Sequence, residues 1–141
     1  DWLLANVEQP LVIGPDSESE QWVKAIGQYA DIPYEILSKI RKGDREVEVS
    51  VPNVQQYLDH TPVLIDDIIS TGRTMLETAE HIKRAGLKPA VCIGVHAVLA
   101  PGAMEEMEQG YVQRLVTCNA IKHQTNEINL AALLAEQITK M

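Results

Sequence analysis

The sequence at residues 62–74 reads Pro62-Val63-Leu64-Ile65-Asp66-Asp67-Ile68-Ile69-Ser70-Thr71-Gly72-Arg73-Thr74. Its first four residues form a continuous apolar run, which predicts a strand buried on both faces. The stretch from Thr74 to Ala85 predicts a helix that ends before Gly86. In an open α/β sheet, ligands bind beyond the carboxyl ends of the strands. This segment therefore predicts an α/β fold and places a binding site at the end of one strand.

Short apolar runs alternate with amphipathic stretches along the rest of the chain, which is typical of a parallel sheet covered by helices. Further strands are predicted at residues 11–14, 34–37, 90–96 and 114–118, and further helices at residues 17–29, 103–109 and 130–140. The predicted class is α/β, with a twisted parallel sheet flanked by helices. We expect residues 1–141 to form a single domain, because 141 residues suit one hydrophobic core.

Two of the predicted helices have apolar faces. Ser17 and Glu20 have the spacing of a capping box, which predicts the start of the first helix. The residues predicted to form the apolar faces are Trp22, Val23, Ile26 and Tyr29 in the first helix and Leu133, Leu134 and Ile138 in the last.

A cluster of basic residues precedes a segment of alternating polarity. Residues 39–45 predict a basic turn, and residues 46–51 alternate like a half-exposed strand. Together they predict a hairpin or flap. The charge cluster alone also fits a solvated surface turn.

Composition limits the classes of partner. The formal net charge is −8, which would repel a polyanion, so no nucleic acid partner is expected. No run approaches the roughly 18 apolar residues of a membrane helix, so no membrane partner is expected. Cys92 and Cys118 lie far apart inside apolar runs, which favours a reducing, cytoplasmic setting. The chain begins at Asp1 without an initiator methionine, so we expect it to be part of a longer polypeptide.

The loop after the two aspartates has the chemistry of a phosphate site. Ser70, Thr71 and Thr74 offer hydroxyls, Gly72 lets the backbone approach closely, and the helix start offers free N–H groups. The preceding carboxylates can accept hydrogen bonds from vicinal hydroxyls or reach them through hydrated Mg²⁺. Strand termination and helix capping alone would also favour some of these residue types. The complete set predicts a sugar phosphate with a free diol as the ligand.

Apolar residues followed by D-D-x-x-x-T-G-x-T, as at residues 62–74, resemble the binding motif of phosphoribosyltransferases and of ribose-phosphate diphosphokinases. The resemblance implies a type I phosphoribosyltransferase-like fold with a basic hairpin or flap. It also implies that ribose 5-phosphate is bound by Asp66, Asp67, Ser70, Thr71, Gly72, Arg73 and Thr74. Arg73 departs from the pattern, since many members have glycine or alanine there, and its side chain would either contact the phosphate or crowd the loop.

Further segments resemble the C-terminal half of ribose-phosphate diphosphokinases rather than a base transferase. Pro15-Asp16 resembles a Pro-Asp pair at their Mg²⁺-ATP site, which implies Asp16 as a metal ligand, although Asp16 also suits helix capping. Lys39 and Arg41 resemble the catalytic residues of that family's flexible loop. Val95-His96 resembles a strand-end histidine segment, so His96 is an additional candidate that fits a structural role equally well.

The reaction implied by the resemblance transfers diphosphate from MgATP to the 1-hydroxyl of ribose 5-phosphate, giving phosphoribosyl diphosphate and AMP, with Mg²⁺ as cofactor. The family's nucleotide-contacting half is absent from this sequence. This implies the C-terminal half of a two-domain protein, incomplete as an enzyme on its own, and the resemblance also implies a homo-oligomer.

Two alternatives stay open. Residues 17–19 (Ser-Glu-Ser) replace a glycine pair of the family, which keeps open a non-catalytic regulatory homologue. The second alternative is a nucleobase phosphoribosyltransferase. Against it, only 4% of residues are aromatic, and we expect no stacking side chain near the loop.

Overall fold

The computed structural model describes residues 1–44 and 46–141 of the chain. Its strands are β1 (Pro10–Gly14), β2 (Tyr34–Ile36), β3 (Ser38–Lys42), β4 (Glu46–Ser50), β5 (Thr61–Ile69), β6 (Ala90–Ala97), β7 (Val112–Cys118) and β8 (Asn126–Ile128). Six strands form one parallel sheet in the order β2-β1-β5-β6-β7-β8, and β3 and β4 form a separate antiparallel hairpin. The predicted α/β class and the predicted hairpin are confirmed.

The α-helices in the described part of the chain are α1 (Trp2–Asn6), α2 (Glu20–Ala30), α3 (Arg73–Arg84), α4 (Ala103–Gln109) and α5 (Ala131–Thr139). Two short 3-10 turns span Ser17–Ser19 and Val54–Tyr57. Within these described residues, every helix is too short or too polar to cross a membrane.

The parallel sheet is buried on both faces. Along β1, Leu11 and Ile13 belong to one core cluster and Val12 to another, because successive side chains of a strand point to opposite faces. Met75 of α3 packs in the first cluster, and Val23 of α2 packs in the second. Helices therefore cover both faces of the sheet, which explains the continuous apolar run of β1.

The connections that follow β1 and β5 run in opposite directions, although these strands are neighbours. α2 leads from β1 to β2 at one edge of the sheet, whereas α3 leads from β5 to β6 on the other side. Because crossovers between parallel strands are right-handed, α2 and α3 lie on opposite faces. A crevice remains beyond the carboxyl ends of β1 and β5, where α/β sheets bind ligands.

The predicted capping box at the start of α2 is wrong in its residues. The cap is Asp16, whose Oδ1 accepts hydrogen bonds from the N–H groups of Glu18 and Ser19, each at 3.1 Å. Ser19 Oγ in turn accepts a bond from the N–H of Asp16 at 3.4 Å. These bonds close a 3-10 turn, so α2 begins only at Glu20. Aspartate and serine are equally good N-caps, so the sequence offered two neighbouring candidates.

The predicted buried face of α2 is wrong for Trp22 and Tyr29, which are 65% and 85% exposed. The helix packs along Val23 and Gly27, and a Cβ at Gly27 would lie 2.5 Å from Tyr34 Cδ1. This close approach to the sheet covers only a narrow stripe of the helix. Trp22, one position from Val23, is rotated about 100° away from that stripe.

The predicted basic turn at residues 39–45 is wrong in its extent. Residues 38–42 form β3, because the alternating residues of β4 pair with an equally long strand. The described part of the turn consists of Gly43, which has a φ of +81°, and Asp44. Arg45, the last residue of the predicted turn, lies outside the described residues.

The terminal helices differ from the expectation in two ways. The sequence pattern does not predict α1, because a helix of five residues is too short to show apolar periodicity. α5 forms where it is predicted, but its apolar residues stay exposed: Leu133, Leu134 and Ile138 are 56%, 55% and 67% exposed.

Candidate functional site

The two aspartates lie inside a strand rather than after one. The predicted end of this strand at Ile65 is therefore wrong, since β5 continues to Ile69 and is held there by pairing with β6. The backbone that carries both carboxylates is thus fixed on one side by a neighbouring strand. The register joins Asp66 to Gly94, Ile68 to His96 and Ile69 to Ala97.

Gly94 of β6 makes room for the side chain of Ile69. A Cβ at Gly94 would lie 2.4 Å from Ile69 Cδ1 and 2.7 Å from Ile69 Cγ1. Ile69 packs in the same core cluster as Leu64, although five positions separate them and strict alternation would place them on opposite faces. The alternation of β5 is therefore broken around the aspartates, and buried Ile69 anchors the loop that follows. A glycine inside an apolar run was the sequence signal for this close approach.

Asp66 and Asp67 are exposed, and their neighbouring carboxylates form a negatively charged pair. The N–H of Asp67 donates to Asp66 Oδ1 at 2.9 Å, and the N–H of Ile68 donates to Asp67 Oδ1 at 2.8 Å. Partial burial raises the pKa of Asp66, and the neighbouring carboxyl groups of Asp67 and Asp16 add to that rise. A cation or a hydroxyl donor at this point would relieve the repulsion.

Gly72 shapes the loop between β5 and α3. Its φ of +73° lies in the left-handed region that favours glycine. A Cβ there would lie 2.7 Å from Met107 Sδ and 3.0 Å from Met107 Cγ, so α4 packs directly on the loop backbone. The Gly72 carbonyl accepts a bond from the N–H of Leu76 at 2.9 Å, which starts α3 immediately after the loop.

The segment that connects β6 to α4 donates hydrogen bonds to carbonyls at the start of the β5–α3 loop, and several N–H groups of that loop remain free. The N–H groups of Val98 and Ala100 donate to the carbonyls of Ile69 and Ser70, each at 3.1 Å. The N–H groups of residues 70–72 have no backbone or side-chain acceptor within residues 1–44 and 46–141. Free N–H groups at the start of a helix form an anion-binding concavity.

A cavity of about 200 Å³ lies over this loop. The structure therefore brings all five predicted residues of the phosphate loop to one small cavity, with one of the predicted carboxylates beside them. The lining residues are Asp66, Ile68, Ile69, Ser70, Thr71, Gly72, Arg73, Thr74 and Met75.

A second cavity of about 490 Å³ lies next to the first, at the crevice between β1 and β5. Asp66, Thr74 and Met75 line both cavities. Asp16 and Asp67 line the larger one, so the three predicted acidic residues surround the same space. Asp16 caps the turn before α2 through Oδ1, which leaves its second oxygen available to a ligand.

Trp22 also lines the larger cavity. The expectation that no stacking side chain lies near the loop is therefore wrong. The tryptophan is distant from the loop in sequence, and α2 carries it to the crevice from the opposite face of the sheet. Local motif reading could not detect this proximity.

The remaining predicted site residues do not line these two cavities. Lys39 and Arg41 lie exposed on β3, opposite Val49 and Val47 of β4. Val49 packs against the main core, so the hairpin is attached to the body through β4. His96 is half-buried on β6, beside Ile68 in the register.

The acidic residues fit a metal shared with a substrate better than a metal held by protein alone. Across the described ranges, no group of three or more His, Cys, Asp or Glu side chains is arranged to hold a metal ion. Mg²⁺ commonly keeps several waters and binds one or two carboxylates together with substrate phosphates. Asp16, Asp66 and Asp67 around one cavity provide donors of that kind.

The model of the phosphoribosyl transferase domain matches residues 2–133. The chain is 28% identical over 138 residues to a ribose-phosphate pyrophosphokinase of Methanobrevibacter smithii, and 30% identical over 128 residues to ribose-phosphate pyrophosphokinase 2 of Archaeoglobus fulgidus. Each alignment covers 91% of this chain but only 46% and 47% of the relative, so the chain spans about half their length.

Solved structures share the fold. A phosphoribosylpyrophosphate synthetase of Mycobacterium smegmatis superposes with a TM-score of 0.68 at 22% identity, over 94% of this chain and 44% of that one. The APRTase of Giardia lamblia gives a TM-score of 0.61 at 19% identity, over 80% of this chain and 70% of that one. The predicted phosphoribosyltransferase-like architecture is thus confirmed. Since the family model also matches nearly the whole sequence, the chain belongs to the phosphoribosyl transferase domain family.

Proposed function

We propose that this chain provides the ribose 5-phosphate half-site of a ribose-phosphate diphosphokinase. In that reaction the 1-hydroxyl oxygen of ribose 5-phosphate attacks the β-phosphorus of ATP. The bond from that phosphorus to the α,β-bridging oxygen breaks, AMP leaves, and the hydroxyl proton is lost. The observation that carries the proposal is a cavity of about 200 Å³ that is lined by the free N–H groups of the loop and by Asp66. The names of two sequence relatives support it independently.

The 5-phosphate of the substrate would occupy the smaller cavity. Free N–H groups of residues 70–72 and the hydroxyls of Ser70, Thr71 and Thr74 are suitable donors to its oxygens. Arg73 is exposed in the same lining and adds a positive charge. This arrangement supports Arg73 as a phosphate contact rather than as an obstacle in the loop.

The ribose hydroxyls would lie against Asp66 and Asp67. Carboxylates accept hydrogen bonds from a vicinal diol, and Asp66 shares its cavity with the phosphate loop. Mg²⁺ would be held by Asp16, Asp66 or Asp67 together with substrate phosphate oxygens, where it offsets negative charge on the transferred group. Burial and the neighbouring carboxylates raise the pKa of Asp66, and a bound cation would offset both effects.

Lys39 and Arg41 would act after the hairpin moves over the site. In the described structure β3 and β4 are paired with each other and not with the parallel sheet, so this movement would break no hydrogen bonds of that sheet, although it would loosen the contact of Val49 with the core. Negative charge increases between the attacking and leaving oxygens as diphosphate is transferred. A lysine and an arginine near those oxygens would stabilise the transition state more than the ground state. His96, near the carboxyl end of β6, remains an additional candidate for a role in catalysis.

The complete reaction would need more protein than this chain. Because the chain spans about half the length of its relatives, we propose that a second, N-terminal half and a homo-oligomeric partner supply the other contacts to ATP. We further propose a cytoplasmic location. The two cysteines support it, since both are free and buried in the described structure.

Phosphorus NMR with Mg²⁺ tests the half-site. Titration of ribose 5-phosphate should shift its 5-phosphate resonance, and Asp66→Asn should weaken the binding. Asp59→Asn is the matched control, because Asp59 is exposed and lines neither cavity. A resonance that does not move at millimolar ligand would contradict the proposal. With ATP added, AMP and sugar diphosphate signals would show that the chain is complete as an enzyme.

A further inference from the structure

The segments that follow β1 and β5 present opposite hydrogen-bonding groups to the crevice. After β5, the N–H groups of residues 70–72 are free within the described part of the chain, and they suit an anion. After β1, the N–H groups of Glu18 and Ser19 both donate to Asp16 Oδ1, each at 3.1 Å. The segment before α2 therefore binds the chain's own carboxylate, and these two N–H groups are not available to a phosphate.

Ser19 closes the turn that holds Asp16. Its Oγ donates to the Asp16 carbonyl at 2.6 Å and accepts a bond from the Asp16 N–H at 3.4 Å. Together with the two bonds to Oδ1, these contacts fix both the backbone and the side chain of Asp16. The carboxylate is therefore held in one orientation by groups of its own turn.

Gly14, the last residue of β1, makes room for the Ser19 hydroxyl. A Cβ at Gly14 would collide with Ser19 Oγ, so the hydroxyl lies directly against the strand. Gly14 itself pairs with Ile36 of β2, and β1 also pairs with β5. The turn is thus attached to the end of a strand that is held on both sides, and a rigid element of this kind positions a functional group precisely.

One oxygen of Asp16 remains free for a ligand. Within residues 1–44 and 46–141, Asp16 Oδ2 has no hydrogen-bond partner. Asp16 and Ser19 line the larger cavity together with Asp66 and Asp67. A carboxylate that is hydrogen-bonded through one oxygen and free at the other has the arrangement of a metal ligand whose orientation is set by its neighbours.

We propose that Ser19 is a positioning residue that acts through Asp16. Its hydroxyl holds the Asp16 carboxylate so that the second oxygen is presented to Mg²⁺ in the larger cavity. The inference rests on the proposed function, in which Asp16 is a candidate ligand of that ion. It also gives a role to residues 17–19, the segment that replaces a glycine pair of the family.

Mn²⁺ is the probe for this inference, because it prefers the same octahedral set of oxygen ligands as Mg²⁺ and is paramagnetic. Electron paramagnetic resonance measures free Mn²⁺, and so its affinity for the protein with and without ribose 5-phosphate. Ser19→Ala is expected to raise the dissociation constant of Mn²⁺ by about 10- to 100-fold, the usual effect of removing a group that orients a metal ligand. Ser19→Thr keeps a hydroxyl and should retain most of the affinity.

Ser17→Ala is the matched control for Ser19→Ala. Ser17 is an exposed serine of the same turn, and its side chain makes no hydrogen bond in the described structure. The dissociation constant of Mn²⁺ should be unchanged in this variant. An equal rise in both variants would mean that the turn as a whole, and not the Ser19 hydroxyl, supports the carboxylate, and it would overturn the inference.

A double-mutant cycle separates positioning from a purely structural role. Asp16→Asn keeps the Oδ1 acceptor of the turn but removes the charge that binds the metal. In this background Ser19→Ala should raise the dissociation constant of Mn²⁺ no further, although it should still lower the stability to urea. The same fold-change in both backgrounds would show that Ser19 acts on folding and not through Asp16.

The outcomes distinguish this inference from the proposed function. Unchanged Mn²⁺ affinity in Ser19→Ala, with ribose 5-phosphate bound normally, overturns the inference alone. Wild-type protein that does not bind Mn²⁺ at millimolar concentration overturns it as well. A 5-phosphate resonance that does not move in phosphorus NMR overturns the proposed function, whereas Mn²⁺ binding that depends on Ser19 without any sugar phosphate would still support the positioning role.

Discussion

Gly72 and Met107 are in contact where the phosphate loop meets α4, and a Cβ at Gly72 would lie 2.7 Å from Met107 Sδ. Met107 is fully buried, so it has little space into which it can move. The conformation of the loop therefore depends on α4, a helix that lies outside the loop motif. A substitution at Gly72 therefore tests how closely the geometry of the loop and ligand binding are linked.

Gly72→Ala is expected to weaken ribose 5-phosphate binding and to lower the free energy of unfolding. The φ of +73° costs alanine about 1 kcal/mol, and overpacking against Met107 adds about 1–3 kcal/mol. Urea denaturation measures the loss of stability, and phosphorus NMR titration measures the loss of ribose 5-phosphate affinity.

Gly102→Ala is the matched control for that substitution. Gly102 has a similar φ of +82°, but a Cβ there meets nothing within 4 Å. Only the backbone penalty of about 1 kcal/mol is expected, without an effect on ligand binding. Equal losses of stability in both variants would show that the Met107 contact is unimportant.

Gly94→Ala is expected to displace Ile69 and thereby the start of the loop. The added methyl group would approach Ile69 Cδ1 to 2.4 Å, and overpacking of this kind destabilises by about 1–3 kcal/mol. Ile69→Val removes Cδ1, so the double variant should recover part of the lost stability and of the ribose 5-phosphate affinity. Additive losses in the double-mutant cycle would contradict a direct contact.

The sequence predicted what depends on local chemistry. β1 and the first half of β5 are continuous apolar runs because both faces of the sheet are covered, and the loop of residues 70–74 has its own donors. These features are properties of neighbouring residues. The strand, loop and helix were therefore predicted in the correct order, and the loop residues do share one cavity.

Long-range packing could not be predicted in the same way. The apolar stripe of α2 does not show how narrow its contact with the sheet is. The stripe therefore predicts Trp22 in the core, whereas the structure has it exposed and lining the larger cavity. The end of β5 depends on its pairing with β6, which brings Gly94 beside Asp66. The fit of Gly72 to Met107 likewise joins two segments that are distant in sequence.

Asp66→Asn is expected to stabilise the fold near neutral pH while it weakens ligand binding. The pKa of Asp66 is raised in the folded state, so the folded state binds a proton more tightly than the unfolded state. The free energy of unfolding therefore falls as pH rises from the ordinary aspartate pKa of about 3.9 through the folded-state value. Asparagine removes this charge and keeps an acceptor for the N–H of Asp67.

The gain in stability should consequently disappear in acid. Urea denaturation of the wild type and of Asp66→Asn at pH 7 and near pH 3 measures the difference, and Mg²⁺ should reduce it at pH 7 if the cation binds Asp66. Asp59→Asn, an exposed site away from both cavities, should show no such pH dependence. A stability gain that is the same at both pH values would contradict a raised pKa of Asp66, whether it comes from burial or from the neighbouring carboxylates.

Substitutions at Asp16 separate its capping role from a metal-binding role. Asp16→Asn keeps the Oδ1 acceptor for the N–H groups of Glu18 and Ser19, so stability should change little. Asp16→Ala removes the cap and is expected to destabilise by about 1 kcal/mol. If the carboxylate also holds Mg²⁺ with a substrate phosphate, both variants should lose the Mg²⁺ dependence of MgATP binding, measured by calorimetry at several Mg²⁺ concentrations. If Asp16→Asn keeps the full Mg²⁺ dependence of MgATP binding, Asp16 is a helix cap only, because the amide supplies the same cap without the charge.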